Sequence, residues 1–369
     1  MRNALVRLAL LSLLPLHGAL AGEATETPAA CLERVSPSVY ALIQGPDMRY
    51  QLGNATFVVT DRGAIAVDPP SDREAFDCAL STLREEAGVE VSHVVLTHWH
   101  GDHTAGAGYF PSDSSGPVIL GSAAIDAAKV EEARKDHADR LAYYREQLPV
   151  QAEILRTGVT PSGREITPEE RAKLEGWLPS RQRWLANHQE VRFVAPGVTF
   201  DGRLGLASSP SVEIHHLAGH TAGDVVVHVP EEGVLIAGDL VDRLPFAGHG
   251  SLAGWTASLE RLAAFEPRII VPGHGPLYRG KGQLDRMRRT FLAAADVARA
   301  GLARGEAPDE VTAAALMDEH RDLLVNLLIP DAAPEELDEL PVMLESVVEA
   351  ALREAQVEGE AGQPVAGAR

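Results

Sequence analysis

Short apolar runs rich in β-branched residues alternate with longer amphipathic stretches, and this alternation predicts a sheet-based core with helices outside. The first group of predicted strands surrounds a helix over 71–86, and the second group surrounds a helix over 252–265. The predicted strands span 39–44, 55–60, 64–68, 91–97, 212–217, 225–229, 234–237 and 268–271. Two β-rich halves with helices between them imply a layered α/β sandwich.

Residues 123–189 carry helical periodicity without strand signals, so we interpret them as a helical insertion. A capping-box pattern begins at Thr167, and Pro179 is expected to end or kink the helix that follows. The insertion either shapes a substrate pocket or is a plain packing addition with Trp177 and Trp184 in the core. Both readings stay open at the sequence level.

The predicted domain organisation has four parts. Residues 1–21 form a signal peptide, 22–280 the core domain with its insertion, 281–357 a helical extension and 358–369 a flexible tail. The extension contains three helical stretches, with apolar stripes such as Leu284, Met287 and Phe291. The tail is rich in Gly, Pro and Ala, which is typical of a loose chain end.

The signal peptide is predicted from a basic start, an apolar run and a small-residue cleavage pattern. Arg2 and Arg7 precede an apolar run over 8–16, and Ala19 and Ala21 supply the small residues. The run is shorter than the roughly 20 residues that span a bilayer, although an uncleaved anchor is the alternative. Cleavage would give a periplasmic or secreted protein with no stable membrane insertion.

Export matters for the two cysteines, Cys31 and Cys78. In an oxidising compartment such a pair can close a disulfide, and the alternative is two buried thiols.

The net charge limits the classes of binding partner, because 33 Lys plus Arg against 53 Asp plus Glu give a net charge of -20. Nucleic-acid binding needs a basic face, so we expect a small-molecule partner and no nucleic acid.

Candidate chemistry begins where the strand over 91–97 ends. His98, His100, Asp102 and His103 lie within six residues of one another. Imidazole and carboxylate are ligands that zinc and neighbouring divalent metals prefer. In extended or loop backbone, His98 and His100 point the same way while Asp102 and His103 diverge, so this run can serve two adjacent ions.

Three further polar residues follow apolar runs and lie beside glycine. They are His220 in Gly-His-Thr, Asp239 in Gly-Asp and His274 in Pro-Gly-His-Gly. Glycine lets the backbone bend so that a ligand can be aimed inward. Each is a weak signal when taken alone.

Taken in order, the H-x-H-x-D-H run and these three motifs resemble the metallo-β-lactamase-fold hydrolase superfamily. The resemblance covers roughly residues 35–280 and implies a four-layer αβ/βα sandwich, with the helical insertion and the C-terminal helices outside the shared region. The stretch over 219–276 is similar to exported members of the SoxH-like or quinoprotein-relay type.

The resemblance implies a binuclear metal site. His98, His100 and His220 would hold one divalent ion, Asp102, His103 and His274 a second, and Asp239 would bridge both. The ions would be zinc, with iron or manganese as alternatives. A hydroxide shared by the ions would attack the substrate, and Asp102 is the candidate catalytic residue that manages its proton.

Other residues carry weaker predictions. Asp68 matches an early aspartate that supports the motif loop in this family. Asp224 is a candidate for orienting a ligand, and His249 could line the pocket or donate a hydrogen bond to substrate. His215 and His216 are interpreted as mainly structural. Tyr109 could be an oxyanion donor, although a core aromatic is favoured.

The predicted function is an exported metal-dependent hydrolase of an ester, thioester, lactone or amide-type bond. β-Lactam hydrolysis is less favoured, because the better-known zinc β-lactamases have Cys or Ser where this chain has Asp239. An iron-dependent dioxygenase of the persulfide type remains an alternative. A non-catalytic periplasmic factor that keeps metals for structure is another.

Overall fold

A computed structural model describes residues 31–44, 52–304, 311–331 and 336–361. The predicted signal peptide therefore lies outside the described residues. The strands are β1 (Glu33–Arg34), β2 (Val39–Leu42), β3 (Ala55–Thr60), β4 (Gly63–Val67), β5 (Val91–Val95), β6 (Val118–Ser122), β7 (Val198–Phe200), β8 (Arg203–Leu206), β9 (Val212–His216), β10 (Val225–Val229), β11 (Val234–Gly238), β12 (Ile269–Pro272) and β13 (Tyr278–Arg279).

Eight α-helices accompany these strands in the described part of the chain. They are α1 (Arg73–Ala87), α2 (Gly101–Thr104), α3 (Ala127–Thr157), α4 (Pro168–Asn187), α5 (Leu252–Ala263), α6 (Gly282–Ala303), α7 (Ala313–Leu328) and α8 (Glu336–Ala361). None of the described helices is both long enough and apolar enough to cross a membrane.

The strands form two mixed sheets. The first sheet has seven strands in the order β1-β2-β3-β4-β5-β6-β7, and the second has six in the order β13-β12-β11-β10-β9-β8. In the first sheet the pairs β1–β2, β2–β3 and β3–β4 are antiparallel, and the pairs β4–β5, β5–β6 and β6–β7 are parallel. In the second sheet only β11 and β12 are parallel.

The two sheets face each other across one apolar layer, and helices cover their outer faces. Ile65 and Val95 of the first sheet share a buried cluster with Val227 and Ile236 of the second. On the outer face of the first sheet, α1 contributes Phe76 to another cluster. The second sheet packs on α5 to α8 through a third buried cluster, which includes Val226, Leu235, Trp255, Leu259, Phe291, Leu316 and Leu344. The architecture is the predicted four-layer sandwich.

Helices α3 and α4 occupy the region predicted as an insertion, and they pack against each other through Leu141, Leu148 and Trp184. The capping box predicted at Thr167 is present: Thr167 Oγ1 accepts from the Glu170 N–H, and the Glu170 carboxylate accepts from the Thr167 N–H. Trp184 is buried, whereas Trp177 is only half-buried.

Two helices continue past positions where a break was expected. Of the two outcomes expected at Pro179, an end or a kink, the end does not occur, because α4 continues to Asn187. Leu178 and Trp184, on the two sides of the proline, belong to the apolar cluster shared with α3. Helix α8 runs to Ala361, so residues 358–361 of the predicted tail are helical. The later tail residues lie outside the described part of the chain.

Cys31 and Cys78 form a disulfide, with their Cα atoms 6.3 Å apart. Of the two alternatives left open by the sequence, the pairing is the one observed. The bond joins the segment before β1 to helix α1 and so fastens the start of the described chain to the outer layer of the first sheet.

Candidate metal centre

The seven predicted ligands meet at one edge of the sandwich, where loops leave the strands of both sheets. His98 follows β5, Asp239 follows β11 directly, and His274 follows β12. His220 lies in the turn between β9 and β10. Since β4 and β5 are parallel and β11 and β12 are parallel, their carboxyl ends bring these loops to a common edge.

The first half of the cluster contains His98, His100, His220 and Asp239, whose ligand atoms lie within 4.8 Å of one another. His100 Nδ1 is 3.0 Å from His98 Nε2 and 2.9 Å from His220 Nε2. Asp239 Oδ2 is 3.4 Å from His220 Nε2 and 3.7 Å from His98 Nε2. Three imidazole nitrogens and one carboxylate oxygen therefore surround one point.

The second half contains Asp102, His103 and His274, again within 4.8 Å of one another. His103 Nε2 is 3.2 Å from His274 Nε2, and Asp102 Oδ2 is 3.2 Å from His274 Nε2. Asp239 Oδ1 is 3.1 Å from His103 Nε2 and 3.6 Å from His274 Nε2. Asp239 thus turns one carboxylate oxygen to each half of the cluster.

In three of these histidines the nitrogen that faces away from the cluster has a hydrogen-bond partner. His103 Nδ1 donates to Asp68 Oδ2 at 2.8 Å, and His220 Nδ1 donates to the Phe246 carbonyl at 2.8 Å. His98 Nδ1 lies 3.0 Å from Thr97 Oγ1. These partners set the tautomers and aim lone pairs into the cluster.

Asp68 links the two supporting interactions from a left-handed backbone conformation, with φ of 47°. Its Oδ1 accepts from the Thr97 N–H at 2.8 Å, and its Oδ2 accepts from Thr97 Oγ1 at 2.6 Å as well as from His103. Asp is among the few residues that adopt this region readily. The buried Asp68 carboxylate therefore joins the end of β4 to the motif loop.

Electrostatics differ between the two halves. Burial lowers the pKa of His98 and of His100, so both imidazoles favour the neutral form that donates a lone pair. Burial opposes charge at His274 too, but Asp239 and Asp102 outweigh it and raise the pKa of His274 to about 10. The negative charges of Asp102 and Asp239 in the second half are therefore stabilised by positive charge nearby.

These features fit a divalent metal in each half. Zinc–nitrogen bonds of about 2.0–2.1 Å in a tetrahedral site place ligand atoms about 3.3 Å apart, close to the separations found here. Among the described residues Asp239 Oδ1 is buried without a well-aligned hydrogen-bond partner, and a bound cation would satisfy this oxygen. Cations would also supply the positive charge that the second half requires.

Glycine lets backbone approach the centre closely. A β-carbon at Gly273 would overlap Asp239 Oδ1 and lie 2.8 Å from the Asp239 nitrogen. A β-carbon at Gly53 would lie 2.6 Å from His103 Cε1. Any larger residue at either position would displace a member of the cluster.

A cavity of 220 Å³ opens onto the cluster at His100 and Asp102. Its opposite wall comes from the helical insertion. The other lining residues are Ser71, Trp99, Gly101, Ala105, Ala133, Asp136, His137, Arg140, Trp184, His188, Phe246 and His249. Helices α3 and α4 therefore shape the space next to the cluster, while Trp184 also packs between them.

The structure brings the weaker candidates to different places. Asp224 is buried and accepts from the N–H groups of Gly219 and Thr221 and from Thr221 Oγ1, so it shapes the turn that carries His220. His249 lines the cavity, and its Nδ1 lies 2.8 Å from His100 Nε2.

The remaining candidates lie away from the seven ligands. Tyr109 packs on Phe76 and donates to the Ser71 carbonyl, which fits a core aromatic. His216 is held by the Ala222 carbonyl. His215 contacts Glu213 and Phe265 on the helix-covered face of the second sheet.

Sequence reasoning missed several residues near the centre. The Asn54 side chain donates to the carbonyls of Pro272 and Gly275 and so fixes the loop of His274. Asp242 lies close to His274, and burial raises its pKa to about 7. Its position three residues after Asp239 was the available signal. No sequence signal identified the residues of α3 and α4 that line the cavity, because their position depends on how the insertion packs against the sandwich.

The model of the metallo-β-lactamase superfamily matches residues 49–274, more than half of the chain. The chain belongs to the metallo-β-lactamase superfamily. The match includes all seven cluster residues and the two helices of the insertion, but not α6, α7 or α8.

Relatives within this superfamily differ in their described activities. The linear primary-alkylsulfatase of a Pseudomonas species is 25% identical over 243 residues, which cover 63% of this chain and 43% of that protein. The atrochrysone carboxyl ACP thioesterase of Aspergillus fumigatus is 38% identical over 65 residues, 18% of this chain and 15% of that protein. Lactamase-like protein vrtG of Penicillium aethiopicum is 24% identical over 324 residues, 84% of each chain. The chain thus spans less than half the length of the alkylsulfatase and of the thioesterase.

Solved structures with similar folds include two metallo-β-lactamases. The DIM-1 enzyme has a TM-score of 0.47 at 18% identity, over 72% of this chain and 97% of that chain. The enzyme from Pontibacter korlensis has a TM-score of 0.46 at 19% identity, over 70% of this chain and 96% of that chain.

Proposed function

We propose that this metallo-β-lactamase superfamily member is an exported binuclear metallohydrolase. The observation that carries the proposal is the sharing of Asp239 by two adjacent ligand groups beside a cavity. His98, His100 and His220 would hold one divalent ion and Asp102, His103 and His274 the other. The ion in each half is proposed to be zinc, and iron or manganese would suit the same ligands.

Two bound cations would acidify a water molecule and polarise the scissile group of a substrate at neutral pH. The chain itself supplies the positioning. Asp102 is the one carboxylate of the described cluster that lines the cavity, with its side chain 22% exposed. Burial opposes its charge, but His103 and His274 outweigh burial and hold the pKa of Asp102 below its usual range, so it would act as an ionised hydrogen-bond acceptor that orients the proton of an attacking water. Trp99 and Phe246 give the cavity apolar walls, and Arg140 adds a cation.

The substrate is proposed to contain an ester, thioester or related bond. An alkylsulfatase and an acyl-carrier-protein thioesterase among the relatives support ester-type chemistry in this branch of the superfamily. An iron-dependent dioxygenase would need one metal held by two histidines and an aspartate. The further side chains that converge here favour the binuclear hydrolase instead.

Export and membership of the SoxH-like subgroup are part of the proposal. The disulfide between Cys31 and Cys78 supports export, because such bonds persist in oxidising compartments such as the periplasm or the extracellular space.

The test is a substrate screen with metal-depleted and zinc-reloaded protein on esters, thioesters, lactones, alkyl sulfates and a chromogenic β-lactam. We expect zinc-dependent turnover of at least one ester-type substrate, and a loss of about 10²-fold or more in kcat in Asp102→Ala. Asp113→Ala, which changes an exposed loop carboxylate, is the matched control. If no substrate is turned over in a metal-dependent way, the hydrolase proposal is wrong.

A further inference from the structure

A second cluster of metal-ligand side chains lies on the helix-covered face of the six-stranded sheet. Glu213 and His215 are on β9 and His228 is on β10, with ligand atoms within 4.8 Å of one another. This limit is also met by each half of the candidate metal centre. The chain residues of the two sites are entirely different.

Strand register explains why the three side chains share a face. Residues 213 and 215 are two apart on β9, and His228 is the direct antiparallel partner of Glu213. Alternate residues of a strand project to the same side, as do cross-strand partners. Val226, which pairs with His215, lies in the apolar cluster under the helices and identifies that side.

The ligand groups are held in place. His215 Nε2 is 3.1 Å from Glu213 Oε2, while the other carboxylate oxygen of Glu213 is paired with Arg203 on β8. The Phe265 ring lies 4.8 Å from each imidazole ring, measured between centroids. Arg203 thus fixes one oxygen of Glu213 and leaves the other facing the histidines.

His228 supplies an independent indication of a ligand. The residue is 7% exposed, and among the described residues its Nδ1 has no hydrogen-bond partner. A buried imidazole nitrogen without a partner is unfavourable, and a bound metal ion would satisfy it. Glu213 is partly exposed, with 24% of its side chain accessible, so an ion can reach the cluster from solvent.

We propose that Glu213, His215 and His228 form a separate divalent-metal site that fastens β9 to β10. Two imidazoles and one carboxylate are ligands for zinc and its first-row neighbours, and three protein ligands leave a position for water. The proposal does not depend on hydrolase activity. It also changes the interpretation of His215 from a structural residue to a ligand.

The test is metal stoichiometry after loading the full-length protein with excess Zn²⁺ and removing free metal by buffer exchange. We expect His215→Gln and His228→Gln each to bind one Zn²⁺ per chain fewer than wild type. His320→Gln, at a partly exposed histidine on α7, should bind as much as wild type. Equal zinc content in all four proteins would overturn the proposal.

A second measurement separates this site from the candidate centre. The same loss of one Zn²⁺ is expected when His228→Gln is introduced into an Asp239→Asn background, in which the candidate centre is impaired. Circular dichroism identifies any variant that fails to fold, and Glu213→Gln then replaces that variant in the comparison. If the loss disappears in the Asp239→Asn background, the zinc belonged to the candidate centre and this proposal is wrong.

Discussion

Asp68 supports the candidate centre without facing the cavity. Its carboxylate receives the Thr97 N–H, Thr97 Oγ1 and His103 Nδ1, from a φ of 47°. A residue that orients a ligand through its far nitrogen typically changes metal affinity by 10–100-fold when replaced.

We therefore expect Asp68→Asn to weaken zinc binding by about 10–100-fold, because the amide is a poorer acceptor for His103 Nδ1–H. Competition titration with a chromogenic chelator measures the affinity. Asp72→Asn is the matched control, since Asp72 caps α1 and asparagine caps helices equally well. An unchanged zinc affinity in Asp68→Asn would show that Asp68 does not orient His103 for metal binding.

Gly273 tests whether the close approach to Asp239 matters. In Gly273→Ala the added methyl group would displace Asp239, so we expect fewer zinc ions per chain and a loss of turnover. Gly176→Ala on the exposed side of α4 meets no atom within 4 Å and should leave zinc content unchanged. Its stability should rise by about 1 kcal/mol at most, since alanine favours helix. Elemental analysis measures the zinc content per chain of both variants, and equal zinc content would contradict the prediction.

At the scale of elements, α8 supports the loop that carries the cavity residues. Ser346 Oγ accepts from the Ala247 N–H, and the Glu354 carboxylate accepts from Ser251 Oγ and the Ala253 N–H at the start of α5. Leu344 of the same helix is fully buried in the cluster under the second sheet. The helical extension is therefore part of one core with the second sheet.

Leu344→Ala should lower the free energy of unfolding by about 2–5 kcal/mol, because it removes buried methyl groups and leaves a cavity. Val342→Ala, at a position that is 64% exposed on the same helix, should stay within about 0.5 kcal/mol of wild type. Urea denaturation followed by circular dichroism measures both. Equal stability of the two variants would show that α8 is not integrated into the core.

Elements with strong local signals were predicted well, and those held by tertiary contacts were not. Strands β3 and β10 have the predicted bounds, because each is a β-branched run with clear turn residues on both sides. Strand β13 consists of only Tyr278 and Arg279, and two residues carry no readable period. Helix α4 does not end at Pro179, and the packing of Leu178 and Trp184 on α3 is the tertiary contact that offsets the local cost of the proline.

At the scale of the whole molecule, the disulfide ties the start of the described chain to α1. Its cysteines are 47 positions apart, and closing such a loop stabilises the folded state by about 4 kcal/mol on the chain-entropy model. We expect Cys31→Ser with Cys78→Ser to lose about 2–4 kcal/mol of unfolding free energy.

Denaturation with and without dithiothreitol checks this expectation. The reductant should destabilise wild type by a similar amount and leave the double variant unaffected. A reductant effect of equal size in both proteins would rule out the disulfide as its cause.

The sequence anticipated which side chains lie close together in the candidate centre better than it anticipated the cavity beside them. The run from His98 to His103 carries its own signal, because four ligand-type residues lie on one loop. His220, Asp239 and His274 needed the family resemblance, since each is an ordinary residue after a strand. The positions of Trp184 and Arg140 at the cavity follow from the folding of α3 and α4 against the sandwich, which no local pattern encodes.

The centre also lies on the seam between the two sheets. His98 to His103 come from the first sheet and His220, Asp239 and His274 from the second, and the Val225 N–H donates to the Thr97 carbonyl across the same seam. Ions bound there would link the two sheets, because residues from both sheets would coordinate them. Loss of the ions would then lower the free energy of unfolding as well as the proposed hydrolase activity, because the ions would bind the folded state and not the unfolded chain.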